Sequence, residues 1–227
     1  MATLIIELAM DNEAELWHTA EGKTYITFQL NGHKEHHPLG STSTKNWLAR
    51  KVFELRQSAP TSKAIQDALN VLEGKAKFEG HEYSIYVRVA SQEGKVYVDL
   101  GSTTWEAIEI SSDGWNIIKD PPVRFRRPAT QQPLPFPESG GSWEDLRQLL
   151  GIHDRKQFIL VVAWLIQAYW PFGPYAHLVL NGEQGSGKSG LTKTLKGLVD
   201  QSIAILRRPP KDEKDLMIAA QEERIIA

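Results

Sequence analysis

Gly182-Glu183-Gln184-Gly185-Ser186-Gly187-Lys188-Ser189 carries the pattern G-x-x-x-x-G-K-[ST] without a mismatch. Residues of these types at this spacing suit phosphate. Glycines let the backbone curl so that its N–H groups converge on an anion with no Cβ in the way. A helix expected over 189–199 would turn its positive end on the same phosphates. Lys188 is placed to reach the β- and γ-phosphates of a nucleoside triphosphate, and the Ser189 hydroxyl to ligate Mg²⁺. The candidate binding set is therefore Gly182, Glu183, Gln184, Gly185, Ser186, Gly187, Lys188, Ser189 and Gly190. Lys188 is its catalytic candidate, Ser189 its metal ligand, and ATP with Mg²⁺ its implied cofactors. The competing reading is a flexible Gly/Ser turn. Context favours the phosphate site, because His177–Leu180 reads as a short buried strand directly ahead of the loop.

Such a loop needs a sheet and helices to hold it. Ser202–Leu206 reads as a second apolar strand, Lys211–Gln221 as a helix and Glu223–Ala227 as the start of a third strand. Ahead of the loop, Ser142-Trp143-Glu144-Asp145 fits a capping box that opens a helix through Leu150. Arg155–Trp170 is apolar on nearly all sides and is expected to be a buried helix, stopped by Pro171-Phe172-Gly173-Pro174. Together these predict a truncated α/β P-loop NTPase domain over 142–227. The acidic residue that completes Mg²⁺ coordination belongs at the far end of the third strand, and none appears by Ala227. Glu222 and Glu223 stand at the wrong end, on the order of 15 Å from the metal at ~3.3 Å per strand residue. The segment reads as an N-terminal fragment that ends before its Walker B acid.

Six of the twelve prolines fall in Pro121–Pro137, followed by Gly140 and Gly141. Proline donates nothing to a ladder and disfavours helix before it, so 121–141 reads as an extended, surface-lying linker. Residues 1–120 then form an α+β accessory domain, a β-meander plus two helices. Its strands are expected at Lys23–Gln29, at Tyr83–Val89 and Lys95–Leu100 around Gly94, and at Trp105–Ile110 and Trp115–Ile118 around Asp113-Gly114. Its helices are expected at 44–57 and 62–77. No motif in it names a function.

Composition excludes several classes. With no cysteine there is no disulfide framework, thiolate zinc site or cysteine nucleophile. The N-terminus lacks a basic region, and the longest apolar run, Phe158–Ile166, falls far short of the ~20 residues that cross a bilayer. A soluble, cytoplasmic protein without a membrane partner is expected. The net charge of −2 rules out a strongly basic nucleic-acid module, leaving only local patches. Arg124, Arg126 and Arg127 around Phe125 interleave base and aromatic, as single-strand binders do, against a solvated linker that docks one aromatic. Arg207, Arg208, Lys211 and Lys214 are diluted by Asp212, Glu213 and Asp215 and read as a solvated helix start. His33, His36 and His37 lack a metal-ligand pattern and read as a polar turn or edge strand. The seven tryptophans read as core or seam anchors.

The chain resembles P-loop ATPases of phages and integrative elements, of the DNA primase/helicase-like type. The resemblance rests on Tyr97-Val98-Asp99-Leu100, Trp105, Gly114-Trp115, Pro122 to Arg127, Pro133-Leu134-Pro135, Leu180 to Ser189 and Asp215 to Ala220. It implies a superfamily-3-like or AAA+ architecture, hexameric in full-length form, and an ATP-driven helicase-like role near single-stranded or forked DNA. Only the loop positions carry over with a role. The alternatives left open are a non-catalytic nucleotide-binding scaffold and a P-loop small-molecule kinase.

Overall fold

The computed structural model describes residues 1–11 and 14–227. The chain divides into two compact units, Met1–Ile85 and Tyr86–Ala227. The division falls ahead of the β-meander rather than at the proline seam expected to separate the domains.

In the first unit, helix α1 (Ala2–Asp11) precedes strands β1 (Glu15–His18), β2 (Thr24–Leu30) and β3 (His33–Pro38). Helices α2 (Thr42–Arg56) and α3 (Ser62–Phe78) and the short β4 (His81–Glu82) follow. The sheet runs β3-β2-β1-β4, antiparallel except for β1 beside β4. Asn31 (φ 51°) and Gly32 (φ 85°) make the two-residue turn that closes Leu30 on His33, as an Asn-Gly hairpin does. Ser41 and Thr61 cap α2 and α3 by accepting from the amides of Thr44 and Ala64. Ile26 and Phe28 meet Leu48, Leu69 and Leu72 in one core. Gly80 is required where α3 turns into β4, since a Cβ there would stand 2.5 Å from Ala76 O and 2.6 Å from Leu16 O.

The second unit opens with an antiparallel meander, β6 (Val89–Gln92), β7 (Lys95–Asp99), β8 (Ala107–Ser111) and β9 (Gly114–Ile118), in spatial order. The short β5 (Ile85–Tyr86) and β10 (Arg124–Phe125) pair separately. Helices α4 (Trp143–Leu150), α5 (Arg155–Ala168), α6 (Lys188–Val199) and α7 (Glu213–Glu222) follow. The capping box at Ser142 and Asp145 forms as read from the sequence.

The seam is packed, not a free linker. Val123, Phe125 and Leu134 are buried. Leu134 N–H donates to Leu100 O at 2.8 Å, Gln132 N–H to Gln201 O at 2.9 Å and Ile203 N–H to Thr130 O at 2.9 Å. The expected strand at Ser202–Leu206 is thereby reduced to one antiparallel bridge, Gln131 with Ser202. His177–Leu180 and Glu223–Ala227 also form no strand. Val179 lies 73% exposed, so the apolar run has no sheet to enter. Helix α5 buries Phe158, Val161 and Leu165, whereas Leu160 is 67% and Ile166 59% exposed. The expected fully buried helix has one covered face. The exposure of Val179, Leu160 and Ile166 has one reason: an apolar run is buried only where a partner surface exists for it.

Candidate phosphate-binding loop

Residues 181–187 form an exposed loop that runs into α6. Gly185 (φ 83°) and Gly187 (φ 81°) hold left-handed backbone that other residues adopt at a cost. Gly187 is the N-cap of α6, and no side chain caps the helix. Its first-turn amides are therefore open to an external acceptor, the arrangement in which helix N-termini take anions.

Lys188 Nζ donates to Gly182 O at 2.6 Å, to Glu183 O at 2.6 Å and to Ser186 Oγ at 3.2 Å. The ammonium rests on the loop's own carbonyls. These are neutral acceptors, whereas an ionised phosphate oxygen adds the attraction of opposite charges to the bond. Lys188 thus holds a position from which an anion can draw it away. Glu183, Gln184, Ser189 and Gly190 are exposed.

The opposite end of α6 is fixed by buried charge. Lys196 Nζ reaches Glu223 Oε2 at 2.6 Å, both side chains 1% exposed, and Arg207 donates to Glu223 Oε1 at 2.6 and 2.8 Å. Asp200, the C-cap of α6, accepts the amides of Arg224 at 2.7 Å and Ile225 at 3.1 Å through Oδ2. Its Oδ1 faces Arg88 Nε at 3.4 Å. Arg88 is fully buried and also donates to the carbonyls of Asp99, Gln132 and Gln201 at 2.9, 2.7 and 3.1 Å. Burial pulls its pKa below the usual guanidinium value, opposed by Asp200 and Asp99. Asp99 in turn pairs with Arg127 at 2.5 Å and accepts from Gln131 at 2.7 Å. The helix after the loop is therefore anchored at its C-terminal end and open at its N-terminal end.

This network accounts for the basic residues singled out as nucleic-acid candidates. Phe125 is core, and Arg126 bonds Glu222 at 2.9 Å and the Gln221 carbonyl. Arg127 is held by Asp99 and lies 3.9 Å over the Trp105 ring. The seam's aromatic docks, and two of its arginines are structural rather than solvated. Arg207 is taken by Glu223, while Arg208, Lys211 and Lys214 are exposed. Glu222 and Glu223 are both ion-paired. No spacing in the sequence announces the pairing of Arg88, Asp99, Lys196 and Asp200, because each partner lies eleven or more residues away.

In the first unit, His33, His36 and His37 lie on the edge strand β3. His33 and His37 share Glu35 at 3.0 and 2.7 Å, and His36 Nδ1 meets Thr27 Oγ1 at 2.8 Å. Among the described residues no cluster of three or more His, Asp or Glu is arranged to hold a metal ion. Nor, among them, is any helix long and apolar enough to cross a membrane.

No curated protein and no solved structure matches the chain. Residues 144–227, which include the loop, α6 and the buried Lys196, Asp200 and Glu223, match the family described as actinomycete integrative conjugative element replication protein, and this likeness links that part of the chain to replication of a mobile element.

Proposed function

We propose that the chain binds a nucleoside triphosphate with Mg²⁺ at Gly182–Ser189, as the nucleotide-handling part of a mobile-element replication protein. The observation that carries this reading is Lys188 drawn onto the carbonyls of Gly182 and Glu183 at the uncapped start of α6. Loop amides and the helix end would take the phosphates, Lys188 would move onto the outer ones, and the Ser189 hydroxyl would ligate Mg²⁺. The P-loop NTPase assignment of 142–227 rests on this loop and helix, without a framing strand at His177–Leu180. DNA-dependent, helicase-like hydrolysis is the larger reading, supported by the likeness to a replication protein.

A second reading, nucleotide binding without turnover by these residues, draws on one observation. Hydrolysis needs a carboxylate to share the metal with Ser189, and Glu222 and Glu223 are committed to Arg126, Lys196 and Arg207. The expected result is tight ATP·Mg²⁺ binding with background phosphate release. Lys188→Ala removes charge-assisted bonds worth roughly 1.5–3 kcal/mol, about ten- to a hundredfold in affinity. Calorimetric titration of both proteins checks this. Superimposable curves would remove the nucleotide site, and fast phosphate release would assign turnover to the chain.

A further inference from the structure

Strand β9 is an outer strand of the meander, with Gly114–Ile117 exposed and Ile118 half-buried. Ser112 and Asp113 are the two-residue connection from β8, so Ser111 and Gly114 form the closing hydrogen-bonded pair of the hairpin. Alternation makes Glu109–Asn116 and Ala107–Ile118 the next such pairs, which leaves the amides and carbonyls of Trp115 and Ile117 directed away from β8. Natural edges are blunted by charge or proline. The edge strand β3 has Lys34, Glu35 and Pro38. Gly114-Trp115-Asn116-Ile117-Ile118 has neither. Trp115 is 41% and Ile117 39% exposed, on the same face as Ile110, which is 38% exposed.

The flanks of this strand are charged in a self-complementary way. Asp113 precedes it and Lys119 follows it, both exposed, and both stand three residues from Asn116. Place a second copy antiparallel on β9, with the two-fold axis through Asn116. Trp115 then faces Ile117 of the copy, and the outward backbone groups of these residues meet in hydrogen-bonded pairs. In the same register Asp113 falls opposite Lys119 of the copy, and Lys119 opposite its Asp113. The apolar row Val96–Ile110–Trp115 continues across the junction into Ile117, Ile108 and Val98 of the copy. Backbone phase, apolar face and charge select one register. From this we propose that two copies of the chain associate through β9, joining their meanders into one continuous antiparallel sheet.

Sedimentation velocity of the full chain over a concentration series tests the association. The expected result is a monomer–dimer equilibrium. Ile117→Lys, at an exposed position, should leave a monomer with unchanged far-UV circular dichroism. Lys119→Glu should weaken the dimer by about tenfold or more, since like charges then face each other twice. Adding Asp113→Lys to Lys119→Glu restores opposite charges and should restore the dimer. A wild-type monomer at every concentration would overturn the proposal, as would an oligomer that survives Ile117→Lys. Dissociation by Ile117→Lys with no loss in Lys119→Glu, or no recovery in the double variant, would overturn the register.

Discussion

The first unit and the helical part of the second are built on different principles. Residues 1–85 wrap three helices on a four-stranded sheet around one apolar core, with Ile5, Ile26, Leu48, Val52, Leu69 and Leu72 at its centre. Residues 142–227 carry four helices and no sheet of their own. Their apolar cluster is smaller, and Leu160, Ile166, Met217 and Ile218 remain more than half exposed. What ties these helices to the meander and seam is largely polar: Arg88, Asp99, Arg127 and Asp200. The difference teaches where tolerance lies. An apolar core loses stability by cavities, in graded steps. A buried ionic network fails when one member is removed and the others stay buried.

The largest effect expected from this contrast is at Arg88. Arg88→Met takes the guanidinium away from Asp200, which keeps only its bonds from the Arg224 and Ile225 amides, and from the carbonyls of Asp99, Gln132 and Gln201. Breaking such a buried arrangement costs about 3–5 kcal/mol. Hydrogen exchange read by segment should show protection lost across residues 86–227 and retained in 1–85. Uniform loss over both units would break the comparison. A next, somewhat smaller effect belongs to Leu72→Ala in the first unit, at about 2–5 kcal/mol for a fully buried leucine. Its exchange should rise in 1–85 alone, and an equal rise in 86–227 would show that the units do not unfold separately.

The same contrast explains what could be read from residues alone. Helices α2 and α3 were legible because their apolar spacing is helical, Trp47, Leu48, Val52 and Leu55 in one and Ile65, Leu69 and Leu72 in the other. The hairpin around Asp113-Gly114 was legible from its turn; around Gly94 the turn was legible, but the strand ahead of it is Val89–Gln92 rather than the expected Tyr83–Val89. These signals are local. Helix α1 carries no clear polar face to announce it, and His33, His36 and His37 lack the alternation that would separate an edge strand from a polar turn. Asn31-Gly32 was a signal available for that hairpin. The loop at Gly182–Ser189 was legible as a motif, but the strands around it were not a safe inference. Leu178 and Val179 look like a strand by composition, and a strand needs a partner that composition does not supply. The seam failed as a linker for the converse reason. Gln132 offers its carbonyl to Arg88, 44 residues earlier, and nothing local in a proline-rich run records that.

The smallest effect sharpens the comparison by placing charge inside the apolar unit. Burial pushes the Glu35 carboxyl up, and the hydrogen bonds from His37 and His33 outweigh it, so its pKa lies below the usual carboxylate value. A carboxylate depressed in the folded state adds stability that is fully present above its unfolded pKa, about 4.3. That stability is lost as pH falls through the lower, folded value. The first unit should therefore lose stability on acidification below about pH 4.3. Glu35→Gln keeps the shape but cannot titrate, so it should lower stability modestly at pH 7 and flatten the acid limb. Urea midpoints between pH 7 and pH 3, followed by tryptophan fluorescence and assigned to the first unit by exchange, measure both slopes. Wild-type and Glu35→Gln proteins with parallel acid limbs would mean that β3 is held by its ladder and by the Phe28–His37 stack, with the shared carboxylate contributing nothing to the unit's stability.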